Sequence, residues 1–308
     1  MMSKARKRAL PLRTTGAGIL CWRETVRRKQ GATPAGPKIA WLGLHVLIIS
    51  LLRAMDNDLT AGGAGYQAAF WFAVVGNVVA FACAANSNPG YVDERDRGDR
   101  DALAERGSVR GTSRGDDDDD VAPLGQVCGH CDAWQGLRTK HCHDCGRCVR
   151  KFDHHCFWVG TCVGEKNHAR FVTYLGVETA LVVWAFHVSN SGARYQTTFE
   201  ELFEKNLACV LISFALFLCI MFVGGLFAFH MYCAVTNQTT WEVSKRDTIS
   251  YLEGVPPNVH PFDRGWRTNL EAFCCKPPPK KHVMKSMTEL REWSVTETMW
   301  DNRYYVCC

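Results

Sequence analysis

The feature that most constrains this chain is a segment of 35 residues, from Cys128 to Cys162, that holds 7 of the 16 cysteines and 5 of the 11 histidines. Several of these cysteines are separated by two residues, a spacing that lets two thiolates from one tight turn reach the same tetrahedral zinc. A packed apolar core has no use for so many cysteine and histidine side chains. The segment therefore predicts metal binding, with zinc as the favoured metal.

Four apolar segments predict an all-α polytopic membrane protein, with transmembrane helices over 39–54, 66–85, 171–188 and 207–235. The last of them contains no Asp, Glu, Lys or Arg. A buried helix of a soluble core is the alternative for 39–54, which is short for a bilayer span. The length of 308 residues would otherwise suggest two soluble domains, but the hydropathy overrides that expectation.

The orientation follows from the first 38 residues, which are rich in Lys and Arg and contain one acid, Glu24. Positive charge before a first helix favours the cytosolic side, so we expect both termini and the cysteine-rich segment in the cytosol. A transit peptide is the alternative for this arginine-rich start. In a reducing compartment, clustered cysteines bind metal or do chemistry more often than they form disulfides. We explain the net charge of +5 by orientation and anionic lipid, not by nucleic acid.

The composition divides the chain into six parts. They are a basic amino terminus (1–38), two transmembrane helices (39–90), an acidic linker (91–121), a cysteine-rich domain (122–170), two further transmembrane helices (171–235) and a carboxy-terminal segment (236–308). The linker ends in five aspartates, 116–120, and has too little apolar surface to offset the entropy of ordering, so we expect disorder. A calcium site there is the weaker alternative, because contiguous acids lack the alternating spacing of a loop that wraps a cation.

Counting ligands leaves one cysteine over. Two zinc sites with three cysteines and one histidine each use six of the seven cysteines, and Cys156 is the best candidate for the odd one because it lies outside the two-residue rhythm. It follows Asp153, His154 and His155, which supply the parts of an activated thiol. A further ligand in a purely structural zinc module is the alternative. Spacing alone does not choose among the available histidines, which are His130, His141, His143, His154 and His155.

These residues resemble the cysteine-rich domain of the DHHC-type protein S-acyltransferases, the palmitoyltransferases. The matching pattern is Cys128-x2-Cys131-x9-His141-Cys142-x2-Cys145-x2-Cys148-x4-Asp153-His154-His155-Cys156-x-Trp158-x3-Cys162-x-Gly164-x2-Asn167-x3-Phe171, placed between the second and third of four membrane segments. Three outlying motifs are similar to the family's Asp-Pro-Gly, Thr-Thr-x-Glu and Asn-x-x-x-Phe: Asn88-Pro89-Gly90, Thr239-Thr240-Trp241-Glu242, and Asn269 with Phe273. The resemblance covers roughly 39–275 and is closest to the small Golgi and endoplasmic-reticulum members.

The resemblance implies a site and a reaction. Cys128, Cys131, His141 and Cys148 would hold one structural zinc, and Cys142, Cys145, His155 and Cys162 the other. Asp153, His154 and Cys156 would form the catalytic set, supported by Thr240, Trp158 and Asn269. Cys156 would accept a palmitoyl or other long acyl chain from acyl-coenzyme A and pass it to a cysteine of a protein substrate, in a ping-pong reaction.

The implied partners are acyl-coenzyme A, the bilayer, and cytosolic or membrane-associated proteins with juxtamembrane cysteines, in the Golgi or endoplasmic reticulum. Arg138, Arg150 and Lys151 are candidates for the coenzyme A phosphates, with a solvated basic face as the alternative.

The chain departs from the family pattern at three places. Phe157 stands where the family has proline, Thr161 where it has asparagine, and 135–137 where it has Lys-Pro-Pro. These departures keep a second function open, a catalytically weak, membrane-tethered zinc module that acts as a protein-interaction adaptor. The cysteine pairs at 274–275 and 307–308 are candidates for lipidation, with free thiols as the alternative.

Overall fold

The computed structural model describes residues 35–92, 125–194, 198–277, 282–285 and 290. The predictions for residues 1–34, for most of the acidic linker and for the terminal cysteine pair lie outside this part of the chain.

Four long helices form the membrane region. Helix α1 spans Ala35–Arg53, α2 spans Ala64–Ala85 and α3 spans His168–Ser191. Helix α4 has three parts: an α-helical part Phe199–Cys219, a π-helical segment Ile220–Gly224 and a second α-helical part Gly225–Val235. All four are long and apolar enough to cross a bilayer. The expectation of four membrane helices is confirmed.

The outward faces of these helices carry large apolar side chains. Phe72 is 82% exposed, and Leu211, Phe214 and Phe222 are each about 60% exposed. A soluble protein rarely exposes so much contiguous apolar surface, whereas hydrocarbon solvates it. The exposure pattern therefore fits a multi-pass membrane protein.

A buried polar cluster joins three of the helices within the apolar region. The Glu178 carboxylate of α3 accepts hydrogen bonds from Trp41 Nε1 of α1 at 3.2 Å and from Asn77 Nδ2 of α2 at 3.0 Å. His45 Nε2 of α1 lies 3.0 Å from the other carboxylate oxygen. An acid inside a membrane is costly unless its oxygens are paired. Glu178 therefore fixes α1 and α2 against α3.

The cysteine-rich segment is built from three antiparallel hairpins of three-residue strands. Strands β1 Gly125–Val127 and β2 Trp134–Gly136, β3 Lys140–Cys142 and β4 Arg147–Val149, and β5 His154–Cys156 and β6 Thr161–Val163 form the pairs. The expectation of an all-α chain is therefore incomplete. Such short hairpins bury little apolar surface, so hairpin pairing alone gives them little stability.

The end of α2 is fixed to the cysteine-rich segment through Asn88-Pro89-Gly90. The Asn88 side-chain oxygen accepts the Gly90 N–H at 2.8 Å, and the Gly90 carbonyl accepts the Arg150 N–H at 2.9 Å. Gly164 packs against the same turn so closely that a Cβ would lie 2.7 Å from the Pro89 carbonyl oxygen. Only glycine fits at that position.

The carboxy-terminal segment returns to the same end of the bundle. Helix α5, Thr240–Ser244, begins with a capping box in which Thr239 and Glu242 each accept the other's backbone N–H. Helix α6, Trp266–Cys274, follows after two short 3₁₀ turns. Asn269 Nδ2 donates to the Val235 carbonyl at 2.6 Å, which ties α6 to the end of α4.

Candidate functional site

The first Cys₃His cluster lies between the first two hairpins. Cys128 and Cys131 come from the turn that links β1 to β2, while His141 and Cys148 face each other across β3 and β4. His141 Nδ1 lies 3.5, 3.6 and 3.8 Å from the sulfurs of Cys128, Cys131 and Cys148. The four ligand atoms thus surround one point.

The second cluster repeats this arrangement one hairpin later. Cys142 and Cys145 lie at the turn between β3 and β4, and His155 and Cys162 face each other across β5 and β6. His155 Nδ1 lies 3.6, 3.4 and 3.6 Å from the sulfurs of Cys142, Cys145 and Cys162. Successive residues of a strand point to opposite faces, so adjacent His141 and Cys142 serve different clusters.

Both clusters fit zinc. Tetrahedral zinc with ordinary Zn–S and Zn–N bonds places sulfur and nitrogen about 3.6 Å apart, the separation seen in both clusters. Polar side chains also donate hydrogen bonds to the sulfurs, and such bonds orient zinc ligands. Gln135 Nε2 donates to Cys148 at 3.3 Å and the Tyr91 hydroxyl to Cys145 at 3.4 Å. The eight residues of the two clusters are those that the resemblance implies as zinc ligands.

Cys156 belongs to neither cluster. It lies on β5 two residues after His154, so the side chains of His154 and Cys156 lie on one face of the strand and that of His155 on the other. His154 hydrogen-bonds the Cys156 sulfur, and the N–H groups of Val159 and Trp158 donate to it. Burial opposes ionisation of this thiol, but these hydrogen bonds outweigh burial and lower the pKa of Cys156 below its ordinary value.

Asp153 orients His154. Its Oδ2 accepts His154 Nδ1 at 2.7 Å, which leaves Nε2 as the nitrogen for Cys156. Burial opposes protonation of His154, but the hydrogen bonds with Asp153 and Cys156 outweigh it and raise the pKa of His154 to about 9. The raised pKa of His154 and the lowered pKa of Cys156 both favour an imidazolium beside a thiolate.

Asp153 is itself held from several sides. Its side chain is completely buried, and its Oδ1 accepts the backbone N–H of Thr240 at 2.7 Å. Burial opposes ionisation, but the surrounding histidines, His168 and His154 first, outweigh it and keep the pKa of Asp153 below its usual range. The Thr240 hydroxyl, in contrast, is buried without a hydrogen-bond partner among the described residues.

Two histidines near Asp153 were missed by sequence reasoning. His168 Nε2, at the start of α3, lies 3.8 Å from Asp153 Oδ1, and His230 Nδ1 of α4 lies 3.9 Å from Oδ2. The two rings are joined by a hydrogen bond of 3.0 Å. For His230 a signal was present, because a titratable residue in an otherwise apolar membrane segment suggests a functional role.

The three candidate phosphate contacts are placed differently from one another. Arg138 is 3% exposed and donates to both Glu242 carboxylate oxygens, from Nε at 2.7 Å and from Nη2 at 2.6 Å. Lys151 donates to Asn237 Oδ1 at 2.8 Å, and Arg150 is partly exposed beside Glu165. Arg138 therefore joins the cysteine-rich segment to α5, and a coenzyme A contact is not supported for it.

The other supporting residues lie on two sides of the site. Trp158 is 46% exposed beside Phe157, at the surface next to Cys156. Asn269 is buried, donates to Asp263 as well as to Val235, and accepts the N–H of Arg264. Trp158 can thus meet an incoming substrate, whereas Asn269 acts on the fold around the end of α4.

Comparison with known proteins agrees with this geometry. A family profile described as DHHC palmitoyltransferase matches residues 123–247. Protein S-acyltransferase 10 of Arabidopsis thaliana is 40% identical over 149 residues, which are 48% of this chain and 43% of that protein. Palmitoyltransferase ZDHHC12 is 32% identical over 206 residues in Homo sapiens and 33% over 229 in Mus musculus.

The coverage of these relatives differs. The chain spans less than half the length of the Arabidopsis protein. It spans 73% of the human ZDHHC12 protein and 80% of the mouse protein. On the strength of this coverage and of the matching profile, the chain belongs to the family of DHHC palmitoyltransferases.

Proposed function

We propose that this chain is a protein S-acyltransferase that carries a long acyl chain, such as palmitoyl, on Cys156. One observation carries the proposal: of the seven cysteines in the cysteine-rich segment, six form the two Cys₃His clusters, and Cys156 alone contacts the Asp153–His154 pair. A purely structural zinc module has no use for a seventh thiol that lies outside both clusters and contacts an Asp–His pair. The relatives named as acyltransferases support the same activity.

In the first half of the reaction, the Cys156 thiolate attacks the carbonyl carbon of an acyl-coenzyme A thioester. The bond between the acyl carbon and the coenzyme A sulfur breaks, and that sulfur takes the proton held at His154 Nε2. Asp153 accepts the Nδ1 proton throughout and keeps the ring oriented. The products are free coenzyme A and an acyl chain on Cys156.

In the second half, a cysteine of a substrate protein approaches the same carbon. Neutral His154 takes its proton, the substrate sulfur bonds to the acyl carbon, and Cys156 leaves as a thiolate. His154 now carries the proton of the substrate thiol and Cys156 is again a thiolate, so both groups are back in their starting states. Juxtamembrane cysteines of cytosolic or membrane proteins are the proposed acceptors, because Cys156 lies where the hairpins meet the helix ends.

The acyl chain requires a membrane-embedded enzyme. In water each methylene forgoes roughly 0.8 kcal/mol of burial free energy, so a long chain must remain in an apolar environment. Cys156 packs in one apolar cluster with Trp41 of α1, Phe81 of α2 and Tyr174 of α3. We propose that the chain lies among these helices while its thioester stays at Cys156.

The two Cys₃His clusters are proposed as closed structural zinc sites, with Cys128, Cys131, His141 and Cys148 in one and Cys142, Cys145, His155 and Cys162 in the other. Four protein ligands leave no open coordination position. Bound zinc would supply the stability that the short hairpins lack and would fix β5, which carries Cys156.

For cellular placement we propose a Golgi or endoplasmic-reticulum membrane with both termini and the cysteine-rich domain in the cytosol. The basic first 38 residues support this orientation. The domain boundaries expected from the sequence belong to the same proposal.

The test is labelling with a long-chain acyl-coenzyme A that carries an alkyne. The purified wild-type chain should acquire a label that hydroxylamine removes, and Cys156→Ser should acquire none. Cys83→Ser is the matched control, because Cys83 is an exposed cysteine at the end of α2, and it should label like wild type. A wild-type protein that holds two zincs per chain yet takes no label would refute the enzyme and favour the adaptor function.

A further inference from the structure

Three histidine rings cluster on the outer side of the first Cys₃His cluster. His130 lies in the turn between Cys128 and Cys131, and His143 begins the turn between β3 and β4. The ring centroids of His130 and His141 are 4.7 Å apart, those of His130 and His143 5.0 Å, and those of His141 and His143 5.2 Å. Two separate turns thus bring their imidazoles to one place.

Only part of this cluster is used by the first zinc site. All contacts between the thiolates and His141 are made through its Nδ1. His130 and His143 are exposed, and neither imidazole has a hydrogen bond to another side chain or carbonyl within the described ranges 35–92 and 125–194. Packing does not explain the position of these two rings, because both are exposed. An ordinary solvated surface does not explain it either, because nothing on such a surface would hold the two imidazoles close together.

The arrangement suits a metal ion. One ligand nitrogen from each of the three histidines lies within 4.8 Å of the others. Tetrahedral zinc needs ligand nitrogens about 3.4 Å apart, a separation that exposed rings reach by small rotations about their side-chain torsions. Neutral imidazole is the ligand that Zn²⁺, Cu²⁺ and Ni²⁺ share.

We propose that His130 and His143 bind a third divalent transition-metal ion, separate from the two structural sites and completed by water. His141 forms the wall between this ion and the first cluster. Because both ligands are exposed and water fills the remaining positions, the ion exchanges with solvent, whereas the two Cys₃His sites retain theirs. The existence of this site does not depend on acyl transfer.

The experiment uses the full chain in detergent, without an affinity tag, dialysed until elemental analysis gives two zincs per molecule. Titration with Zn²⁺ in a calorimeter should then show one additional, weaker equivalent. His130→Asn and His143→Asn should each weaken that binding at least tenfold while retaining two zincs. His187→Asn is the matched control, because His187 is an exposed histidine at the far end of α3, and it should bind like wild type.

Two results would overturn the proposal. One is a wild-type titration without binding beyond two zincs, and the other is unchanged binding of the extra ion when both histidines are replaced. A measurement on the unaltered protein guards against variants that fold poorly. With ¹¹³Cd²⁺ added to the two-zinc protein, a resonance typical of nitrogen and oxygen ligands is expected, and a resonance typical of thiolate ligands would contradict the site.

Discussion

Loss of the ion pair between Arg138 and Glu242 should strongly destabilise the fold around Asp153. The two side chains are 1% and 4% exposed. Arg138 donates from Nε to Glu242 Oε1 at 2.7 Å and from Nη2 to Glu242 Oε2 at 2.6 Å. Arg138 also donates to the Asn237 carbonyl at 2.8 Å and lies 4.1 Å from the centre of the Phe262 ring. Its positive φ of 65° is a strained conformation that these contacts maintain.

Arg138→Met keeps an unbranched apolar side chain but leaves the Glu242 carboxylate buried without its cation. Breaking a buried ion pair from one side costs about 3–5 kcal/mol. We expect the lower end, because Glu242 still accepts the Thr239 N–H at 3.0 Å and the Tyr251 hydroxyl at 2.9 Å. A loss of about 3 kcal/mol corresponds to a fall in Tm of roughly 6–12 °C for a domain of this size.

The assay is thermal unfolding in detergent, followed by tryptophan fluorescence, on a double-mutant cycle. Arg138→Met with Glu242→Met should recover much of the loss, because removing both charges leaves nothing unpaired. Arg150→Met is the control: its partner Glu165 lies 3.9 Å away and Arg150 is 31% exposed, so less than about 1 kcal/mol should be lost. If Arg138→Met behaved like this control, or if the two effects simply added, the reasoning would fail.

Three further outcomes are expected. Asn269→Ala should lower Tm by removing about 2 kcal/mol or more, since Asp263 and the Val235 carbonyl lose their donor; an unchanged Tm would contradict this. Burial lowers the pKa of Lys151 to about 7 while the unfolded chain keeps an ordinary lysine, so the unfolded state binds more protons above pH 7. Lys151 should therefore add to stability from pH 7 to 9, whereas His154, whose pKa is raised to about 9, contributes the opposite slope over that range. The difference in stability between wild type and Lys151→Met should therefore change in favour of wild type from pH 7 to 9 in thermal scans; the same pH dependence in both proteins would exclude a contribution of Lys151. Cys142→Ser should lose zinc and folded yield, whereas Cys156→Ser should keep two zincs by elemental analysis and a wild-type Tm; equal zinc loss in both would make Cys156 a ligand.

The sequence predicted well those features that arise from short-range spacing. Two-residue gaps between cysteines place thiolates in one turn, so the ligands could be counted before any fold was known. Long apolar runs likewise predicted the four membrane helices. The side chains of His154, His155 and Cys156 alternate between the two faces of β5, which is also a local feature. The sequence did not predict the hairpin that turns this alternation into a separation between the zinc cluster and Cys156.

Features that depend on distant pairing were not predictable in this way. Arg138 and Glu242 are separated by 104 residues, and nothing near Arg138 distinguishes a buried partner from a phosphate contact. His168 and His230 meet Asp153 only because α3 and α4 pack with particular rotations about their axes. Such rotations depend on the packing of whole helices, which composition and local spacing do not determine.

Because of the π-helical segment Ile220–Gly224, the number of residues in the fourth helix sets the direction in which its later side chains point. A π-helical turn takes in an extra residue, so every side chain after it is rotated by about 100° from where an uninterrupted α-helix would place it. His230 lies six residues beyond this segment and faces Asp153 with that rotation included. Removal of one residue from 220–224 would let the helix become regular and turn His230 away from the site, although no side chain at the site had changed. This part of the chain is therefore more tolerant of substitution than of a change in length.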